Sequence, residues 1–493
     1  MVHEYKIYVG GKWVKSASGE TFEDRNPADT RDIIGLFQKG NAEDVKSAVD
    51  AAQDAFEEWS STPAPKRAEI LFRAARLLRE RKEALAQLIS REMGKVLKEA
   101  RGDVQEAIDI YEYCAGEGRR LWGRTTPSEL RDKFCMTVRK PIGVCALITP
   151  WNFPIAIPAW KTAPALVSGN TIVMKPASDT PLCAIRLVEI LEKAGFPPGV
   201  VNLITGPGEE IGKEIVTNPK IRAVSFTGHK DTGAWIQKEA GSRLKRVSLE
   251  LGGKNPIIIM DDADLKLALD GVLWGAFGTS GQRCTAASRV IAHKKIYEKF
   301  VAMLSSAARK LRLGPGLNPA TDVGPLINAA QLKKVADYGE IGKEEGAKLC
   351  CGGRVATEGK LKHGFFYLPT VFKDVTPDMR IAREEIFGPM VSVMKINDLE
   401  EAIHVANSVD YGLSSAIYTS DMANAFKAIE KIEAGITYVN ASTIGAETHL
   451  PFGGVKQTGN GTREAGWTAI EEFTEEKAIY IDYSGRLQKA TID

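Results

Sequence analysis

Short apolar segments alternating with helical stretches of ten or more residues predict an α/β protein with two parallel sheets. One such series runs from residue 142 to 252, and a second begins at Asn255. In both, strand, crossover helix and next strand imply right-handed connections and helices on both sheet faces. A third observation supports the first two: residues of unusual chemistry fall just after the apolar segments, where ligands of such sheets bind.

Taken in order, residues 6–14 form two apolar runs around Gly10-Gly11 and predict a hairpin. After the turn-rich Arg25-Asn-Pro-Ala-Asp29, helical periods are expected over 41–59, with Asn41 as the cap, and over 64–93 and 99–113. The first series predicts strands at 143–148, 171–174, 201–204, 223–226 and 247–251. Their carboxyl ends carry Thr149-Pro-Trp-Asn, Lys175-Pro-Ala-Ser, Thr205-Gly-Pro-Gly, Thr227-Gly-His and Glu250-Leu-Gly-Gly. Chemistry gathered on one sheet edge is the Rossmann-like arrangement and predicts a dinucleotide site. The second series predicts strands at 255–260, 289–292, 347–350, 391–396, 415–418 and 435–439. Residues 265–277 predict a helix that Ser280-Gly281 breaks, leaving Cys284 just beyond it. The stretches 135–139 and 478–482 also look like strands but belong to neither series.

Composition narrows the classes. The chain has 493 residues, 44% hydrophobic and 26% charged, enough for two or three domains with substantial cores. A formal net charge of +2 gives no field that would draw nucleic acid or a membrane surface. The beginning, Met1-Val-His-Glu-Tyr-Lys, lacks a signal-peptide core, and no apolar run reaches the ~18 residues of a membrane span. Seven cysteines at scattered positions fit neither a disulfide framework nor a zinc site, so a reducing cytoplasm and no metal are expected.

The segment Gly278-Thr-Ser-Gly-Gln-Arg-Cys-Thr-Ala286 supplies a thiol, Glu250 a carboxylate and Asn152, between two prolines, an amide donor. These are the parts of covalent acyl chemistry. Together with Lys175-Pro, Phe226-Thr-Gly, Glu250-Leu-Gly-Gly-Lys, Gly281-Gln-Arg-Cys, Glu384-Glu-Ile-Phe-Gly-Pro and Pro451-Phe-Gly-Gly, their order and spacing resemble the aldehyde dehydrogenase superfamily over nearly the whole chain. Within it the run Asn440-Ala-Ser-Thr-Ile-Gly-Ala-Glu resembles the α-ketoglutaric semialdehyde dehydrogenases. The resemblance implies a cofactor domain over 1–122 and 142–252, a catalytic domain over 253–455, and oligomerisation segments at 123–141 and 470–493 that pair with another subunit in a homodimer or homotetramer.

It also implies roles. Cys284 would add to an aldehyde; the Asn152 amide and the Cys284 backbone N–H would hold the resulting oxyanion; Glu250 would activate the water that cleaves the thioester. Lys161 and Arg283 are cations that can favour the thiolate, although Arg283 can equally turn to a surface ion pair. NAD or NADP would lie against Thr149, Pro150, Trp151, Lys175, Ser178, Leu251 and Gly233. Its phosphates would meet Phe226-Thr227-Gly228 and His229, with Gly208 and Gly212 nearby at a spacing that departs from G-x-G-x-x-G. Glu385 and Phe387 would hold the nicotinamide ribose and ring. Ser178 stands where many NAD-specific relatives carry Glu, so nothing there repels the 2′-phosphate of NADP. Phe153, Trp160 and Phe452 would form an aromatic throat, and Arg283 would meet a carboxylate at the far end of the substrate. Competing expectations are a non-phosphorylating glyceraldehyde-3-phosphate dehydrogenase, a CoA-acylating relative, and a structural relative without catalysis. The presence of Glu250 disfavours the second, and the intact Cys284, Glu250 and Asn152 disfavour the last.

Overall fold

The structure is a computed structural model that describes residues 2–489; Met1 and residues 490–493 of the expected terminal segment lie outside it. The first sheet holds five parallel strands in the order Arg246–Glu250, Ile221–Thr227, Val144–Ile148, Thr171–Lys175 and Val201–Leu203. The hairpin Ile7–Val9 and Lys12–Val14 extends it antiparallel. Its central strands are buried on both faces, which is why they read as continuous apolar runs. Cys145, Leu147, Ile172 and Met174 point to a core shared with the helices Ala64–Glu80, Leu97–Glu117, Ala156–Val167 and Pro181–Ala194. The alternating residues Val144, Ala146 and Val173 point the other way, onto the helices Ala42–Ser61, Gly208–Thr217 and Lys230–Gly241. Asn41 caps the first of these helices in a reciprocal box with Asp44.

The second sheet runs Lys348–Cys351, Thr370–Lys373, Met390–Ile396, Ala287–His293, Asn255–Ile259, Ser414–Tyr418, Ile436–Val439, parallel except for its first strand. The four-residue strand Thr370–Lys373 is absent from the sequence reading because it is too short to show a period. A second departure lies near the start. Between Asp29 and the helix expected from Asn41, where no strand was expected, Ile33–Gln38 pairs with Thr21–Arg25 and Glu4–Tyr5 in a small sheet. The helix expected over 64–93 breaks at Arg81 into Ala64–Glu80 and Lys82–Glu92.

The two stretches that belonged to neither series pair with each other. Thr474–Asp482 lies antiparallel to Lys133–Pro141 over nine residue pairs, with Thr125–Thr126 on the far edge. Ile470 and Phe473 are buried in the first core, and the strand expected at 478–482 begins at Thr474. Among the described residues no helix is long and apolar enough to cross a membrane, and no cluster of metal-ligating side chains occurs.

Candidate active site

The thiol is delivered by a sharp bend. Asp264 caps the helix Leu265–Phe277, a single 3₁₀ turn Gly278–Gly281 follows, and Cys284 comes three residues later. Thr279 and Ser280 take positive φ values of 51° and 57°, and Gly281 takes 70°. A Cβ on Gly281 would sit 2.1 Å from the Gly388 carbonyl oxygen, so only glycine allows this close approach. The Gln282 side chain locks the bend by donating to Thr279 and Pro325 carbonyls and accepting from the Ile327 N–H. Asn255 donates to the Cys284 carbonyl at 2.7 Å.

Cys284 shares a cleft of about 170 Å³ with Trp151, Asn152, Leu251, Glu385 and Phe387. Asn152 is buried and spends one amide hydrogen on the Gln282 carbonyl at 3.1 Å, leaving the other free to donate. Burial, then the Glu385 and Glu250 carboxylates, push the Cys284 thiol up to about 12. Glu250 ends the first sheet's edge strand, and among the described residues neither carboxylate oxygen has a hydrogen-bond partner. Burial and then Glu464 push its carboxyl well above the usual range, against the opposing pull of Lys161 and Arg463. In both groups burial and nearby carboxylates favour the protonated form.

Neither expected cation serves the thiol. Lys161, 1% exposed, donates to Ser225 at 2.8 Å and is ion-paired with Glu464. Its charge acts on the carboxylates around Glu250 instead. Arg283 is directed to Glu99 at 3.6 Å, donates to the Thr279 hydroxyl at 2.9 Å and lies 5.2 Å from the Phe153 ring. Its side chain is only 11% exposed, so this is not the solvated surface pair weighed as the alternative. Phe153 also carries Lys95 over its ring at 3.5 Å. Trp160 and Phe452 meet edge to face at 5.2 Å, which brings together two of the three aromatic residues expected in the throat.

A larger recess of about 820 Å³ adjoins the thiol cleft, with Pro150, Trp151, Thr227, Gly228 and His229 lining both. Thr149, Lys175, Gly208, Gly212 and Phe226 line it as expected. Lys175 donates to the Pro176 carbonyl, and burial lowers its amine to about 8. Ala177 faces the recess, while the Ser178 hydroxyl donates to the Gly206 carbonyl at 3.1 Å. His229 caps the helix Lys230–Gly241 by accepting the Asp231 N–H at Nδ1. Gly233 has no room for a side chain, because its Cβ would lie 2.6 Å from Leu251. At the inner end Glu385 accepts the Gly253 N–H at 2.9 Å, a Cβ on Gly252 would strike that carboxylate, and Phe387 meets Trp151 edge to face at 5.4 Å. A long recess walled by glycines, with a buried acid and aromatic rings at its narrow end, fits a dinucleotide.

Sequence reasoning missed Glu464, Gln331 and Lys334. Glu464 follows the turn-rich run 459–463 and reaches the site only because residues 458–460 return to the edge strand, with Leu251 donating to the Thr458 carbonyl. Gln331 and Lys334 line the thiol cleft from the helix Ala329–Glu344. Their i, i+3 spacing places them on one face, but nothing marks that face as functional.

The aldehyde dehydrogenase family model matches residues 13–479. An alpha-ketoglutarate semialdehyde dehydrogenase of Haloferax volcanii is 45% identical over 98% of this chain and 100% of its own. An alpha-ketoglutaric semialdehyde dehydrogenase of Bacillus subtilis is 42% identical over 97% and 98%. The crystal structure of betaine aldehyde dehydrogenase from Staphylococcus aureus in complex with NAD+ superposes with a TM-score of 0.96 at 37% identity, covering 98% of this chain and 96% of that one. The chain belongs to the aldehyde dehydrogenase family and is an oxidoreductase acting on the aldehyde group.

Proposed function

We propose that the protein oxidises an aldehyde with a distal carboxylate, of the α-ketoglutaric semialdehyde class, to the free acid with NAD+ or NADP+. The observation that carries the chemistry is that Cys284 and Asn152 line the cleft at the narrow end of the dinucleotide recess, with the Glu250 carboxyl near enough to act on the thiol. Once deprotonated, Cys284 adds to the aldehyde carbon, and the free Asn152 amide hydrogen and the Cys284 N–H hold the alkoxide. One such donor contributes about 2.7–4 kcal/mol to the transition state. The bound cofactor supplies the hydride acceptor. Glu250, having passed its proton on, then takes one from the water that cleaves the thioester, which restores the thiol and releases the acid. Lys161 and Glu464 set the charge balance behind Glu250.

Lys175 would hold the adenosine ribose, Glu385 the nicotinamide ribose, and the helix at His229 the pyrophosphate. The cation Lys213 and the absence of an acid at position 178 support use of NADP beside NAD. The division into cofactor and catalytic domains given by the sequence, with the flap Thr474–Asp482 and Lys133–Pro141 serving assembly into a dimer or tetramer, completes the reading. Substrate class rests on Arg283 and on the relatives' names. The test compares succinic or α-ketoglutaric semialdehyde with butanal or hexanal, each with NAD+ and NADP+, in wild type and Arg283→Leu. A charge-assisted pair predicts a preference for the carboxylates of roughly ten- to a hundredfold that the substitution removes. Equal use of both aldehyde types by the wild type would refute the substrate class.

A further inference from the structure

The helix Leu97–Glu117 presents Glu99, Asp103 and Glu106 on one face at i, i+4 and i+7 spacing, toward Arg283 and Lys95. The first two are committed. Glu99 accepts from the Thr279 N–H and hydroxyl and pairs with Arg283, while Asp103 pairs with Lys95 at 2.8 Å and accepts the Ala156 N–H at 2.7 Å. Among the described residues, Glu106 alone of the three has neither a hydrogen bond nor an ion pair. Lys95 and Arg283 are thus balanced by Glu99 and Asp103, and the charge of the fifth group, Glu106, sets the sign of the whole cluster.

We propose that Glu106 is a specificity residue that reads the charge at the far end of the aldehyde. This inference rests on the carboxylate-substrate reading and adds a condition to it. When neutral, Glu106 donates its O–H to the substrate carboxylate while Arg283 pairs with it. When ionised, it leaves the cluster with a net negative charge and repels that carboxylate. The groups that face Glu106 are Asp103 and Asp109 of its own helix, Arg283 and Lys95 from the segments packed against it, and Tyr438 of the strand Ile436–Val439, which Glu447 also approaches. Burial first, then Asp103, push the Glu106 carboxyl up to about 7, against the pull of Arg283 and Lys95. Its ionisation then falls within the working range. The folded pocket favours the neutral form below that pH and the anion above it.

The measurement is the ratio of kcat/KM for succinic semialdehyde to that for butanal, from about pH 6 to about pH 8.5, in wild type and Glu106→Gln. Both substrates need the same thiol and base, so those titrations cancel in the ratio. The wild-type ratio should fall by about tenfold as pH rises, equivalent to ~1.4 kcal/mol. In Glu106→Gln, which donates a hydrogen bond at every pH, the ratio should be flat and exceed that of wild type at the alkaline end. A flat wild-type ratio above one, or a slope retained by the variant, overturns the role of Glu106 and leaves the substrate class standing. A ratio near one at every pH overturns the substrate class itself. The wild-type arm requires no variant to fold.

Discussion

Two buried clusters near Cys284, an outer one around Arg283 and an inner one around Glu250, use the same residue types to different effect. In the outer cluster Lys95 and Arg283 each meet a carboxylate, and Asp103 and Glu99 also receive backbone N–H bonds. In the inner cluster one lysine faces Glu250, Glu464 and Glu472, and it is committed to Glu464 and Ser225. Glu250 is left buried with two unpartnered oxygens. The four paired groups of the outer cluster hold walls in place and leave only Glu106 over. A cluster short of positive charge favours the protonated carboxyl, which suits a base that acts late. The same shortage pushes the thiol up, since burial and carboxylates surround it and both cations are engaged elsewhere.

The largest way to break the inner cluster is Cys284→Ala. Dehydrogenase activity should disappear, with cofactor affinity nearly unchanged by fluorescence titration, because the large recess does not depend on the thiol. Residual turnover above a few per cent would remove Cys284 from the nucleophile role. Next is Glu250→Gln. Rapid mixing should still show a burst of reduced cofactor, followed by a steady rate lower by about 10²–10⁴-fold. If burst and steady phases fell together, Glu250 would be needed chiefly for the thiol.

The outer cluster answers to stability. Asp103→Ala strips the partner from Lys95, whose side chain is fully buried, and should lower unfolding free energy by about 3–5 kcal/mol in a denaturant or thermal melt. A loss below about 1 kcal/mol would show that Lys95 is accommodated without its partner.

The smallest effect sharpens the contrast. Glu250 is a base only when ionised and its pKa is raised, so the hydrolytic rate should climb with pH. Glu464→Gln removes a nearby negative charge and leaves Lys161 to act on Glu250, which should lower its pKa and move that rising limb toward acid. A limb that stays in place or moves to alkaline pH would mean that Lys161 and Glu464 act only as packing.

Much of this was legible in the chain. The strand-and-helix alternation gave both sheets to within a few residues except for the strand Thr370–Lys373, and the expected cap Asn41 marks a real helix start. Thr149, Lys175, Phe226 and Thr227 line one recess because carboxyl ends of parallel strands converge there, a consequence of connectivity alone. Illegible were features that depend on distant partners. The strand Ile33–Gln38 is six residues whose apolar run carries no decisive period, and pairing with Thr21–Arg25 settles it.

The sequence by itself determined the fold, the nucleophile's place after a broken helix and the chemistry on the sheet edge, because these depend on local periodicity, glycine and short-range order. Only the tertiary structure decided what the charged residues do. Lys161 and Arg283 lie close in sequence to the thiol's motifs, yet Glu464, 303 residues from Lys161, and Glu99, 184 residues before Arg283, take their charges. Electrostatics inside a protein depends on distance through space and on water removed by burial, and neither quantity is written in the order of residues.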